Sequence, residues 1–157
     1  MKTPAPISFN AEYVEFELNN PNNVSLWVFE TIENEGFEVG FLDFIFCSDD
    51  YLLNLNITHL QHDTYTDIIT FNYNEKNTIS GDIFISIDRI KENANTFATS
   101  FTEELYRVII HGVLHLIDYN DKTPEEQQKM RQKENDCLKD RKSTRLNSSH
   151  LVISYAV

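Results

Sequence analysis

This chain has few glycine, proline and cysteine residues, and it has fewer basic than acidic residues. Its 157 residues include four glycines, four prolines and two cysteines, and its 25 acidic residues outnumber 13 basic ones. The low glycine and proline contents exclude collagen-like and low-complexity classes. The two cysteines, Cys47 and Cys137, form neither a disulfide framework nor a CxxC motif. We interpret them as ordinary thiols, one in a strand and one on a helix.

Long hydrophobic runs are also missing. No run approaches the roughly 20 residues that cross a bilayer, and the N-terminal residues Met1 to Pro4 open no hydrophobic signal segment. We therefore expect a cytoplasmic protein with no membrane partner. A net charge of −12 argues against broad electrostatic capture of nucleic acid, which usually depends on clustered Lys and Arg. Binding of RNA would have to depend on a local metal ion, a few basic side chains or a protein partner.

The hydrophobic residues that are present, 41% of the chain, suffice for one globular core. Their spacing predicts strands at residues 7–9, 37–47, 67–73 and 81–87 and helices at 24–33, 49–57, 88–97, 102–117 and from 123 onward. The helix at 102–117 is apolar around most of its circumference, so we expect it to be buried. We predict an α+β fold, with a small mixed β-sheet of about four strands packed by this central helix.

Residues 1–139 are expected to form a single domain. The segment 140–157 has no hydrophobic periodicity, and it resembles the translation of a sequencing-adapter read-through. We interpret it as a non-native tail and leave it out of the functional argument, including His150.

The informative motif lies at the end of the central helix. His111 and His115 are four residues apart, so they lie about 40° apart around the helix and one turn along it. Both imidazoles can reach one ion, and Asp121 is the first strong ligand type after the helix ends. Asp118 and Asn120 between them tolerate the left-handed conformation that such a turn often needs. Two histidines, one carboxylate and an open position are typical of a catalytic zinc site.

Two other interpretations of the motif remain. An HxxxH pair on an apolar helix also occurs as two unrelated histidines, one of them buried and hydrogen-bonded. Zinc proteases share the spacing but place a glutamate base after the first histidine. That position is Gly112, which can neither activate water nor donate a proton.

This motif and two further stretches of the chain resemble the YbeY family of bacterial rRNA maturation endoribonucleases. The family signature His-Gly-x-Leu-His-Leu-x-Gly-Tyr-Asp-His is matched at His111, Gly112, Leu114, His115, Leu116 and Tyr119. The stretch 66–71 resembles the family's Thr-Asp-Val-Leu-Ser-Phe strand, and 81–86 is similar to its Gly-Asp-Ile strand. The resemblance covers about residues 5–139.

This resemblance implies a zinc-dependent, single-strand-specific endoribonuclease that acts in 16S rRNA 3′-end maturation and ribosome quality control. The implied cofactor is one Zn²⁺ held by His111, His115 and Asp121. The histidines act in catalysis through the metal, and the general base is not identified. The expected partners are single-stranded precursor rRNA and the small ribosomal subunit or its associated proteins, including a GTPase.

The chain departs from the family pattern at three places. Asp121 replaces the third histidine, which leaves either a carboxylate ligand or an exposed turn aspartate. Asp118 replaces the glycine of the turn, where it either costs strain or faces the metal. The positions of a Tyr-Arg pair, whose arginine is thought to contact RNA, hold His59 and Leu60.

Other polar residues are weaker candidates. His62, beside Asp63, has the chemistry for proton transfer or phosphate contact, although a surface loop is the simpler interpretation. Asp67 is a candidate to orient a ligand histidine, or it ends a strand with a turn hydrogen bond. For Arg107 we expect an ion pair with Glu103 or Glu104 rather than a phosphate contact. We expect the acidic final helix to present a solvated face.

Two rival functions remain open at this point. One is a non-catalytic ribosome-biogenesis factor in which zinc only fixes the helix end. The other is a metal hydrolase that acts on a small molecule or peptide, which Gly112 disfavours.

Overall fold

The structure, a computed structural model, describes the backbone of residues 6–60 and 66–155 and the side chains of residues 6–59 and 66–141. The strands are β1 (Ile7–Ala11), β2 (Glu38–Cys47), β3 (Ile68–Asn72) and β4 (Thr78–Ser86). The α-helices are α1 (Pro21–Asn34), α2 (Asp49–Leu55), α3 (Ile87–Thr96), α4 (Phe101–Leu116) and α5 (Pro124–Tyr155), and a π-helical turn (Asn56–Leu60) follows α2.

The strands form one mixed sheet in the order β1-β2-β4-β3. β2 pairs in parallel with β1 and β4, whereas β3 runs antiparallel to β4. Alternate apolar residues of the strands face the main core, where α1 and α4 cover the sheet. A smaller cluster on the opposite face packs α2 against Cys47 and Ile69. The predicted α+β fold with a four-stranded sheet and a central helix is confirmed.

Several element boundaries differ from the prediction by a few residues, and local hydrogen bonds define two of the element starts. β4 begins at Thr78 rather than Gly81, since Glu75 and Thr78 exchange backbone hydrogen bonds of 3.0 and 2.9 Å that extend the β3–β4 hairpin. The N-cap of α2 is Ser48, whose hydroxyl accepts from the Tyr51 N–H.

The α4 helix lies unusually close to the sheet at Gly112. A Cβ at this position would lie 2.7 Å from Ile68 Cδ1 and 3.1 Å from Ile83 Cγ2. Glycine therefore allows the helix to approach β3 and β4 between the two histidines of the motif. This contact fixes the height of the motif above the sheet.

The last helix, α5, begins with a capping box. The Thr123 hydroxyl accepts from the Glu126 N–H, and the Glu126 carboxylate accepts from the Thr123 N–H, both at 3.1 Å. The helix continues across residue 140, and Arg141 lies 3.4 Å from Glu103 and over the Tyr106 ring. The interpretation of residues 140–157 as an appended tail stays a prediction. Within the described residues, none of the helices combines the length and apolar character that a membrane span requires.

Candidate metal centre

The α4 helix ends in a way that turns the chain back toward its own histidines. Asp118 has a φ of 76°, the Tyr119 N–H donates to the Leu114 carbonyl at 2.9 Å and the Asp118 N–H donates to the His115 carbonyl at 3.2 Å. This is a Schellman-type helix end, and its left-handed position favours glycine. Asp118 occupies it here and remains exposed to solvent. Asp118 is not among the residues that converge on the site.

Side chains from elsewhere hold this helix end in place. Asn74 of the β3–β4 hairpin donates to the Leu116 carbonyl at 2.8 Å and accepts from the Ser80 N–H at 2.8 Å. The Tyr119 hydroxyl donates to Glu35 at 3.2 Å, and Glu35 pairs with Lys133 at 2.6 Å. The connection from α4 to α5 is thus anchored where it leaves α4.

The turn brings Asp121 to the two histidines. His111 Nε2 and His115 Nε2 are 3.0 Å apart, and Asp121 Oδ2 lies 3.5 Å from the first and 3.3 Å from the second. Neighbouring ligand atoms of a tetrahedral zinc site with bonds of about 2.0–2.1 Å lie roughly 3.3–3.4 Å apart. The three atoms therefore fit one metal ion of this size. All three side chains are partly exposed, at 24%, 28% and 40%, so a fourth position faces solvent.

Sequence reasoning missed one residue beside this group, Glu134 on α5. Its side chain is 6% exposed, and its Oε2 lies 2.6 Å from His111 Nδ1. Its Oε1 accepts from Arg107 Nη1 at 2.9 Å, and Arg107 Nη2 donates to Asn135 at 2.9 Å. The predicted pairing of Arg107 with Glu103 or Glu104 is therefore wrong, and α5 is not solvated around its whole circumference.

The sequence carried only a weak signal for Glu134. It lies 23 positions from His111, in a helix whose other acidic residues are mostly exposed. Its neighbours Met130, Cys137 and Leu138 recur at helical spacing and are buried. That spacing marks the face of α5 that packs against the protein.

The two histidines have different electrostatic environments. Burial alone would lower the pKa of His111, but the hydrogen bond and charge of Glu134, with the charges of Asp67 and Asp121, raise it above its ordinary value. Burial and the neighbouring His111 lower the pKa of His115. For Glu134, burial acts to raise the pKa, and the contacts with His111 and Arg107 outweigh it and lower the pKa.

Asp67 lies near the site and does not take the orienting role considered for it. Its side chain accepts from Asn93 Nδ2 at 3.2 Å, and its backbone carbonyl accepts from the Ser86 N–H at 3.0 Å. Burial raises the pKa of its carboxyl group. Its influence on His111 is through charge, and the hydrogen bond to that histidine comes from Glu134.

The remaining candidates lie away from the metal ligands or outside the described residues. His62 and Asp63 fall in the latter group. His59 is in the π-helical turn, where its ring packs edge-on against Phe71 with 5.8 Å between ring centroids.

A cavity of about 580 Å³ extends from His111 and Asp121 along α3, α4 and α5. Besides His111, its ionisable lining comprises two cations, Arg107 and Arg131, and five carboxylates, Asp67, Glu103, Glu104, Asp121 and Glu134. Burial and the charge of Asp67 raise the pKa of Glu104 in this cavity. A phosphate entering the cavity without a metal ion would meet more negative than positive side chains.

Comparison with known proteins identifies the family of this chain. The family Endoribonuclease YbeY matches residues 7–142. An Endoribonuclease YbeY of Amoebophilus asiaticus is 48% identical over 131 residues, covering 83% of this chain and 89% of the relative. One from Christiangramia forsetii is 49% identical over 124 residues, covering 79% and 87%. The solution structure of TM1509 from Thermotoga maritima is 26% identical with a TM-score of 0.59, covering 87% of this chain and 92% of that one. The chain belongs to the Endoribonuclease YbeY family, whose members are nucleases.

Proposed function

We propose that this protein is a zinc-dependent, single-strand-specific endoribonuclease that acts in 3′-end maturation of 16S rRNA and in ribosome quality control. The observation that carries the proposal is the convergence of His111, His115 and Asp121 within 3.0–3.5 Å at the mouth of a cavity. Membership in a family of endoribonucleases supplies the reaction class.

The donor set supports zinc and a catalytic role. Two imidazole nitrogens and one carboxylate oxygen leave one position of a tetrahedral site open, whereas structural zinc sites are closed by four protein ligands. Zinc held by His111, His115 and Asp121 would supply Lewis-acid chemistry at a phosphoryl oxygen and would activate water for hydrolysis.

The chain's own residues have separate tasks in this proposal. His111, His115 and Asp121 hold the ion at the cavity mouth, and the closed helix end at Asp118 keeps Asp121 within reach. The carboxylate-rich cavity disfavours phosphates that are not neutralised, so RNA binding depends on the ion more than on the protein surface. The net charge of −12 favours delivery to rRNA by a ribosomal or GTPase partner. A shallow dependence of RNA affinity on salt follows from this arrangement.

The test is cleavage of a single-stranded RNA carrying the 3′ end of precursor 16S rRNA, beside the same RNA in a duplex. The zinc-loaded full chain should cleave the single strand in preference to the duplex, and His115→Ala prepared in the same way should cleave neither. The variant Asp136→Asn, which changes an exposed α5 carboxylate, should retain activity and serves as the control. Equal activity of wild type and His115→Ala would contradict the proposal.

Two further substrates separate the remaining alternatives. An RNA with a deoxynucleotide on the 5′ side of the scissile bond distinguishes attack by water, which persists, from attack by the 2′-hydroxyl, which stops. A protein that binds zinc, assembles with ribosomal particles and cleaves neither free nor particle-bound RNA would instead be a non-catalytic assembly factor.

A further inference from the structure

Glu134 is placed differently from every other carboxylate near the candidate metal site. It lies in the middle of α5, 6% exposed, and both of its oxygens are occupied by partners on α4. Oε2 lies 2.6 Å from His111 Nδ1 and Oε1 lies 2.9 Å from Arg107 Nη1. The two α4 residues are four positions apart, so one carboxylate spans a full helical turn.

These contacts determine which nitrogen of His111 carries the proton. A carboxylate only accepts hydrogen bonds, so Nδ1 must be the donor. The neutral ring then has its lone pair on Nε2, the atom that faces His115 and Asp121. The ring cannot turn over without breaking the contact with Glu134.

We propose that Glu134 is a positioning residue that fixes the tautomer and orientation of His111, and that Arg107 and Asn135 hold Glu134 in place. The inference extends the proposed metal site and rests on it. Carboxylates that hold the outer nitrogen of a ligand histidine commonly raise metal affinity about 10–100-fold. Arg107 donates through Nη1 and Nη2 to two residues of α5, so its role lies in this arrangement and not in free phosphate capture.

The same contact links the metal site to the docking of α5. Buried Met130, Cys137 and Leu138 hold this helix against the protein, and Trp27 Nε1 donates to the Cys137 carbonyl at 2.9 Å. If docking of α5 orients His111 for the metal, bound metal must stabilise the docked helix by the same free energy. Amide exchange around residues 130–138 should therefore slow when zinc binds.

The first measurement is Zn²⁺ affinity, by competition with a chelator, for the full-length wild type, Glu134→Gln, Glu134→Ala and the control Asp136→Asn. We expect the dissociation constant to rise about 10-fold for Glu134→Gln, whose amide oxygen still accepts from Nδ1, and about 100-fold for Glu134→Ala. The control should be unchanged. Thermal unfolding of the metal-free proteins shows whether each variant is folded. If Glu134→Ala does not fold, Glu134→Gln, which keeps the side-chain volume, carries the affinity comparison.

A spectroscopic measurement tests the inference independently of metal. Nitrogen-15 spectra of the metal-free protein, at a pH high enough for both rings to be neutral, should show His111 protonated only at Nδ1. In Glu134→Ala a mixture of tautomers should appear, whereas Glu134→Gln should keep the Nδ1 proton because its amide oxygen still accepts from Nδ1. A wild type that binds no zinc would overturn the proposed function, and the tautomer result would still decide the role of Glu134. Unchanged affinity in a folded Glu134 variant, or an unchanged tautomer in Glu134→Ala, would overturn the inference.

Discussion

The two histidines of the motif lie one turn apart on the same helix, and they are held by different parts of the molecule. His111 is tied by its Nδ1 to Glu134, 23 residues along the chain and buried on α5. The polar neighbours of the His115 ring are local, namely His111 one turn before it and Asp121 in the connection that follows. Their pKa values shift in opposite directions, upward for His111 and downward for His115. A short motif thus contains one ligand positioned by tertiary structure and one positioned locally.

The largest expected effects come from removing either histidine. Both His111→Ala and His115→Ala should lose zinc, because each removes one of three ligands. His111→Ala should also lower the free energy of unfolding of the metal-free protein by about 1–3 kcal/mol, since it leaves Glu134 buried without one partner. His115→Ala should leave that free energy nearly unchanged. Metal analysis and denaturant unfolding measure the two effects, and equal stability losses would show that the histidines are held alike.

The next effect compares two aspartates of the same connection. Asp121→Asn should weaken zinc binding by at least about 10-fold, because a neutral amide replaces a carboxylate ligand. Asp118→Asn makes the same change three residues earlier, at a left-handed position that Asn tolerates. It should leave zinc affinity unaltered in the same chelator titration. A loss of affinity in Asp118→Asn would instead make Asp118 a ligand.

The residue between the histidines should affect stability and not metal binding. Gly112→Val places atoms where even a Cβ lies 2.7 Å from Ile68 and 3.1 Å from Ile83. We expect a loss of about 2–3 kcal/mol in the free energy of unfolding from overpacking. The histidines share one helix and keep their mutual spacing, so the folded fraction should still bind zinc. A Gly112→Val variant of normal stability would show that α4 lies farther from the sheet than these distances indicate.

The last comparison is between the two thiols, of which Cys137 reports the docking of α5. Burial raises the pKa of Cys47 to about 12 and that of Cys137 to about 11. In the native protein at pH 8 both should react with thiol reagents at least about 100-fold more slowly than in the unfolded chain, because little thiolate is present.

Only Cys137 lies on α5, one turn from Glu134, so the two thiols separate local from global opening. His111→Ala should speed labelling of Cys137 and leave Cys47 slow, as read by mass spectrometry of the labelled peptides. Equal acceleration at both thiols would mean that the variant opens the whole fold and not α5 alone.

The sequence predicted the part of this site that is encoded locally. His111, His115 and the helix that carries them follow from spacing, and the role of Asp118 in the turn follows from its conformational tolerance. Whether Asp121 comes close to the histidines depends on the geometry of the turn. In the structure the three side chains lie together. The four-stranded sheet also followed from periodicity, although β4 starts three residues early because a backbone turn extends it.

The contacts of Glu134 and Arg107 could not be predicted in this way. By sequence spacing, Glu103 and Glu104 of the same helix are the nearest carboxylates to Arg107. Glu134 becomes an alternative ion-pair partner only because α5 packs against α4. Helical periodicity predicts which face of α5 is buried, but not which residue of α4 lies opposite it. Contacts between side chains that lie 23 or more residues apart, on different helices, can be identified only once the tertiary structure is known.

The most direct test of the central claim is a titration of metal-free protein with zinc, in which bound metal and cleavage of single-stranded RNA are measured together. The account predicts one zinc per chain and cleavage that rises in proportion to the occupied fraction in wild type, with neither in His115→Ala. Cleavage that persists without metal, or a full zinc site that leaves RNA intact both free and in ribosomal particles, would contradict it.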